Sequence, residues 1–351
     1  MSFLIPKHIL SDRNASIDVY RGIAILAVVL FHYDGLLKIG FIGVDLFFVI
    51  SGYLVSRGLL KEINQGKRVN LKQFFFKRIT KIIPSYYFFI IFGTVIARLL
   101  FLDNFSTQII DFASFPKYLL FYMNYAPTFH WSFELSWSLC VEEHFYLFLG
   151  LVFIIIGLQS AIKQRNRTLK IVLFTFIILS VLFKIIGAGY GWDTYGMSHM
   201  RMDALFLGVL LSFQQINENK ITHNEPKTAA VGIGVLLLVI ILFYTTEIPF
   251  FNEALLHTLV PISFYLIMRG TLFSSFKYFK WLRICAYYSY NWYLWHAIIA
   301  FTFVNLLDLN YFGGLILYLL LSFIIAVVTT KTIEEPIVNM RNRILKKNRT
   351  S

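Results

Sequence analysis

Three ionisable side chains stand out because of the company they keep. The stretch from Arg21 to Tyr53 reads R-G-I-A-I-L-A-V-V-L-F-H and then G-F-I-G-V-D-L-F-F-V-I-S-G-Y, apolar enough to sit in a membrane. It nevertheless carries Arg21, His32 and Asp45. Ionisable groups at such depth are costly and mark candidate functional sites. On a helix, the eleven steps from Arg21 to His32 make three turns plus about 20°, so both side chains share one face about 16 Å apart along the axis. A fixed cation near one surface can grip an anionic group. An imidazole further along the same wall can take up and return a proton. Asp45 is of the type that orients an imidazole and raises its basicity, the arrangement general-base catalysis uses.

Other segments carry the same kind of signal. Arg78 and Lys81, in F-F-F-K-R-I-T-K-I-I-P-S-Y-Y, share a helix face at i and i+3. Pro84 suits the first turn of a helix, and a helix N-terminus flanked by two cations would make a phosphate site. The segment 130–146 reads H-W-S-F-E-L-S-W-S-L-C-V-E-E-H-F-Y. It sets the adjacent carboxylates Glu142 and Glu143 at a membrane edge, among the interfacial residue types Trp131, Trp137 and Tyr146. Arg201 and Asp203 open a later apolar run, as a mutual pair or each with its own partner. Tyr293 and His296 lie one turn apart in Y-S-Y-N-W-Y-L-W-H. Glu334, Glu335 and Pro336 read as a helix end. The histidines lack ligand spacing with one another, so no metal is expected.

The elements that must position these residues follow from composition. Of 351 residues, 58% are hydrophobic and 15% charged, far from a soluble domain. Apolar runs recur at about membrane-spanning length. We read ten spans, roughly 17–37, 39–60, 82–102, 138–158, 169–187, 201–215, 228–246, 254–272, 284–305 and 311–332. The formal charge of +13 would suggest nucleic acid in a soluble chain, but here the Lys and Arg lie in alternate loops. They concentrate before the first span, around Arg57–Lys81, at Lys163–Lys170, at Lys220 and Lys227, at Lys277–Arg283, and in the tail after Pro336. The intervening loops are poor in them. That alternation requires an even number of spans with both termini cytoplasmic, and no nucleic-acid partner. The aromatic loop 103–137 is expected to fold back over the bundle as an interfacial or re-entrant element. Cys140 and Cys285 fall near opposite faces, so no disulfide is expected. The N-terminus lacks the features of a cleavable signal. The expected fold is an all-α polytopic membrane protein of about ten transmembrane helices in one bundle, a single domain over 1–351 with no appended soluble domain.

Six motifs occur in order over Ile17 to Pro336. They are Arg21-x10-His32, F-I-G-V-D-L-F-F-V-I-S-G-Y-L, R-x-x-K-I-I-P-x-Y-Y, W-S-L-x-V-E-E-x-F-Y, R-M-D-A-L-x-x-G and Y-S-Y-x-x-Y-L-x-H. In this set the chain resembles membrane acyltransferase family 3, which contains bacterial O-acetyltransferases of surface polysaccharide and lipopolysaccharide. The resemblance implies transfer of an acyl group, usually acetyl, from cytoplasmic acyl-CoA across the bacterial inner membrane to a sugar hydroxyl outside. The acceptor would be a glycan or lipid-linked glycan such as lipopolysaccharide O-antigen or exopolysaccharide, with membrane lipids as surroundings. On that analogy Arg21, Arg78 and Lys81 hold the CoA phosphates, and His32 is the catalytic imidazole. One position departs: the family's second arginine is Lys81 here, which keeps the charge and loses the bidentate fork.

The mechanism expected from these residues has His32, held by Asp45 or by a glutamate of the Glu142–Glu143 pair, remove the hydroxyl proton before attack on the thioester. An acyl-histidine intermediate is the alternative. Trp131 and Trp137 would stack on the acceptor, with Tyr146, Arg201, Asp203, Tyr293 and His296 as further substrate-binding candidates. The competing class is an exporter of a lipid-linked saccharide, which also explains apolar spans with buried charges. Paired Gly/Pro-interrupted spans, common in transporters built from inverted repeats, are not seen in this sequence.

Overall fold

Backbone polar groups find no water in hydrocarbon, so an apolar chain must satisfy them within helices. The computed structural model describes residues 15–67, 69–100, 110–126, 133–157, 159, 161–276, 278–300 and 310–350, and among these there is no strand. The principal helices are α1 Ala15–His32, α2 Gly43–Asn64, α3 Leu71–Leu100, α4 Ser136–Gly157, α5 Ile162–Tyr190 and α6 Ser198–Ile216. They continue with α7 Pro226–Thr245, α8 His257–Thr271, α9 Lys280–Ile299, α10 Tyr311–Thr329 and α11 Glu335–Thr350. Each of the ten expected apolar runs overlaps one of α1 to α10, with α3 starting eleven residues ahead of its run. Short π-helical stretches lead into α8 and α11. In the loop expected to fold over the bundle, the described part forms single turns at Phe115–Leu119 and Met123–Tyr125. Trp131 lies outside the described residues.

Among the described residues, eight helical segments are long and apolar enough to cross a membrane. The two that fall short are α6 and α9. Their hydropathy is lowered by polar side chains: Arg201, Asp203 and two glutamines in α6, and Asn291, His296 and several tyrosines in α9. Neighbouring helices bury those groups. Arg201, Asp203, Asn291 and His296 are all 2% exposed or less.

One expectation about helix ends is corrected. Pro84 does not open a helix: α3 begins at Leu71 and carries Pro84 in its interior. Arg78 and Lys81 therefore project from a continuous helix and not from an N-terminal turn. A proline inside a spanning helix is tolerated where neighbours satisfy the disturbed backbone. Pro84 leaves the Thr80 carbonyl without its helical donor, and close by the Tyr290 hydroxyl, from α9, ties the same stretch of α3 to its neighbour by donating to the Ile82 carbonyl at 2.8 Å.

Two helix pairs build the centre, and each pair runs parallel. Contacts between α1 and α9 advance together along both: Arg21 donates to the Ser289 hydroxyl at 2.8 Å, and further on the rings of His32 and His296 meet. At their start, Arg283 pairs with Asp18 at 3.2 Å. Between α2 and α6, Arg201 meets Asp45 near one end and Tyr53 donates to Gln215 nearer the other. These two helices touch backbone to backbone. A Cβ on Gly52 would overlap the Leu205 carbonyl, and one on Gly208 would overlap that of Val49. Small residues at helix contacts permit such approach in membranes, where packing rather than water exclusion drives association.

Candidate active site

His32 is the last residue of α1 and is half-buried. Its Nδ1 lies 2.9 Å from the Val28 carbonyl one turn back. A carbonyl only accepts, so Nδ1 carries the proton and Nε2 keeps its lone pair. The ring is thus oriented by its own helix. This corrects the expectation that Asp45 or a glutamate holds it. Asp45 is fully buried and bonds Arg201 at 2.6 Å instead. His296 repeats the device: its Nδ1 lies 2.8 Å from the Tyr293 carbonyl and 3.1 Å from that of Trp292. The two imidazoles meet edge to face with centroids 4.9 Å apart.

Two cavities meet beside this pair, at Tyr293, whose ring lies next to His296. One, of about 560 Å³, lies among the start of α1, the first parts of α2, α3 and α4, the middle of α9 and Arg341 of α11. Six cationic side chains line it, Arg21, Arg57, Lys77, Arg78, Lys81 and Arg341, against two carboxylates, Asp18 and Glu142. Glu142 accepts from Tyr146 and, at 3.2 Å, from Ser51. The Arg78 guanidinium lies 5.9 Å from the centroid of the Tyr146 ring. Lys81 pairs with Glu334, whose other oxygen accepts from Asn291 at 2.8 Å. Glu334, read from the sequence as a helix end, is thus a buried counter-ion for Lys81. Arg341, read as tail charge, reaches back from α11 to donate to the Lys77 carbonyl at 3.3 Å. Tyr146 belongs to this cavity and not with Trp137.

The second cavity, of about 730 Å³, opens among the far end of α1, the start of α4, the segment after α5 and the start of α8. His32, Trp137, Trp192, Tyr195 and His257 line it, together with the carboxylates Glu134, Asp193 and Glu253, and no lysine or arginine does so among the described residues. Glu134 lies ahead of α4. Burial, and then the negative charge of Asp193, raise its carboxyl above the ordinary glutamate range. Val44 and Tyr293 line both cavities and form the wall between them. The Tyr293 hydroxyl meets Ser138 at 2.7 Å and the Leu135 carbonyl at 3.1 Å, and its ring centroid is 5.7 Å from that of His296.

Arg201 and Asp203 line neither cavity. They sit behind the acidic one and point to different partners. Arg201 bonds Asp45, and its guanidinium lies 5.1 Å from the centroid of Tyr195. Asp203 bonds Lys184 at 2.5 Å, and Lys184 also donates to the His257 carbonyl at 2.6 Å. Glu143 likewise lines neither cavity; its Oε1 is buried without a hydrogen-bond partner among the described residues. Lys184 and His257 escaped the sequence reading. The signal was present, because a lone lysine inside V-L-F-K-I-I and a histidine inside an apolar run are both ionisable groups at membrane depth.

The family profile described as Acyltransferase domain matches residues 14–331. The chain belongs to this acyltransferase family. It is 30% identical over 350 residues to the peptidoglycan O-acetyltransferase OatA of Listeria monocytogenes, a match covering 92% of this chain and 55% of the relative. It is 27% identical over 348 residues to the putative peptidoglycan O-acetyltransferase YrhL of Bacillus subtilis, covering 92% and 54%. A putative O-acetyltransferase of Staphylococcus aureus is 28% identical over 320 residues, covering 81% and 50%. The chain spans about half the length of the curated relatives it matches. No solved structure matches.

Proposed function

We propose that this acyltransferase moves an acyl group, acetyl in the first instance, from acyl-CoA in the basic cavity to a sugar hydroxyl in the acidic one. The observation that carries the reading is the pair of cavities of opposite charge, separated by Val44 and Tyr293, with an imidazole of fixed tautomer beside the wall. The basic cavity suits the phosphates of CoA. Arg21, Arg78 and Arg341 would engage them, since arginine pairs phosphate through a planar fork. Lys81 is already matched by Glu334 and would contribute less. Facing the acidic cavity, His32 accepts the acceptor hydroxyl's proton at Nε2. The oxygen forms its bond to the acyl carbon, the carbon–sulfur bond breaks, and His32 returns the proton to the departing thiolate.

The names of the relatives favour peptidoglycan as the acceptor over the lipopolysaccharide expected from the motifs. We place the enzyme in the bacterial cytoplasmic membrane, with the basic cavity facing the cytoplasm. The test is transfer of radiolabelled acetyl from acetyl-CoA in membranes carrying the wild type or His32→Ala, with label followed into wall glycan. Label in the wild type alone supports the reading. Equal label in both removes His32 from the chemistry. Absence of label in both, with intact protein, favours the exporter.

A further inference from the structure

We infer that the acidic cavity selects an uncharged or cationic saccharide unit and excludes acceptors that carry phosphate or uronate groups. The inference rests on the acyl-transfer reading for the role of the ligand as acceptor, and on the cavity itself for its chemistry. At about 730 Å³ the space is within the usual range for a small-molecule site. Trp137, Trp192 and Tyr195 offer aromatic faces of the kind that cover the C–H face of a sugar ring. Glu134 and Glu253 can accept from hydroxyl or amide N–H groups, and Glu253 is held by the Thr194 hydroxyl at 2.6 Å. The Nδ1 of His257, a residue 6% exposed on the cavity wall, meets no hydrogen-bond partner among the described residues.

The sign of the field decides the ligand class. Three carboxylates line the cavity and no lysine or arginine among the described residues offsets them. The ions behind the wall cancel in pairs, Arg201 with Asp45 and Lys184 with Asp203. An anionic sugar would enter with no cation to receive it, and like charges set side by side are a strong device for rejecting partners. A neutral or amino sugar finds carboxylate acceptors for its donors, and the Asn252 amide and the indole N–H of Trp192 are on the same lining for its acceptors. The opposite polarity of the donor cavity keeps the phosphorylated donor from occupying the acceptor's place.

The test uses the full chain in nanodiscs and three tetrasaccharides of equal length: chitotetraose (neutral), its de-N-acetylated form (cationic) and tetragalacturonate (anionic). Binding without donor is read from tryptophan fluorescence, since Trp137 and Trp192 line the site. Acetyl transfer is measured in parallel. The neutral and cationic probes are expected to bind at least about tenfold more tightly than the anionic one. The double variant Glu134→Gln, Glu253→Gln is expected to narrow that ratio, as is raised salt. Equal binding of all three, binding of none, or an unchanged ratio in the double variant overturns the inference. Discriminating binding with no acetyl transfer to any probe leaves the cavity's selectivity standing and overturns the acyl-transfer reading. Equal transfer to all three does the reverse.

Discussion

The rings of His32 and His296 stand edge to face 4.9 Å apart, each with its Nδ1 against a carbonyl of its own helix. Two parallel helices, α1 and α9, thereby deliver two imidazoles of the same tautomer to one point, and of the two only His32 lines the acidic or the basic cavity. His32→Gln is expected to lower transfer by about a hundredfold to ten-thousandfold, the range a general base supplies. The variant should melt with the wild type, because His32 makes one hydrogen bond, to its own helix. Retained transfer in a stable variant would move the base elsewhere, with His296 the nearest alternative.

Asp45 and Arg201 form a pair buried at 0% and 1% exposure. Removing one partner strands the other charge, a loss of about 3–5 kcal/mol where such pairs have been broken. Asp45→Asn and Arg201→Met should each lower the melting temperature in detergent sharply. The double variant Asp45→Leu, Arg201→Met should recover much of the loss, since it strands no charge. If each single variant melts within a degree or two of the wild type, the pair is not structural.

The helix positions were legible in the sequence because apolar length and alternating basic loops are local signals. The alignment of Arg21 with His32 was legible for the same reason. The partner of Asp45 was not. Arg201 lies 156 residues away, and nothing local distinguishes it from His32 as a partner for a carboxylate. Glu334 hid in the same way, since its role depends on α3 and α11 lying side by side. Pro84 misled because proline is common in the first turn of a helix, whereas a spanning helix packed among neighbours tolerates it in the interior.

The close approach of α2 and α6 rests on two glycines. Gly52→Ala or Gly208→Ala would drive a methyl group into a facing carbonyl, and overpacking of this kind costs about 1–3 kcal/mol. Gly58 lies on the same helix with open space around its would-be Cβ. Gly58→Ala is therefore the control and should be neutral or slightly stabilising. Thermal melts of the three variants decide the point. Equal effects at Gly52 and Gly58 would contradict the packing described.

Arg78 and Lys81 are adjacent on α3 and should behave differently. Arg78→Ala is expected to raise the KM for acetyl-CoA by about tenfold or more, the loss of a hydrogen bond to a charged group. Lys81→Arg, which supplies the arginine expected at this position from the resemblance, should leave KM within about twofold, because Glu334 already engages the cation there. A large fall in KM on Lys81→Arg would show that the lysine is a weakened donor contact after all.

Acceptor choice should depend on pH through Glu134. Burial, and the charge of Asp193 beside it, raise this carboxyl above the ordinary glutamate range. It therefore takes up a proton at a higher pH than a free glutamate would. As pH falls through that window the cavity loses one negative charge, while Asp193, Glu253, His32 and His257 are the other carboxyl and imidazole groups lining it, beside the phenols of Tyr195 and Tyr293. Rejection of tetragalacturonate relative to chitotetraose should weaken as pH drops from neutral. The fold should respond in the opposite sense, because a group with a raised folded-state value favours the native state below that value and loses this contribution as pH rises through it. Glu134→Gln should flatten the Glu134 part of both dependences. The ratio of binding constants, followed from neutral to mildly acidic pH in wild type and variant, checks the claim. An identical slope in the two proteins would assign the effect to another group.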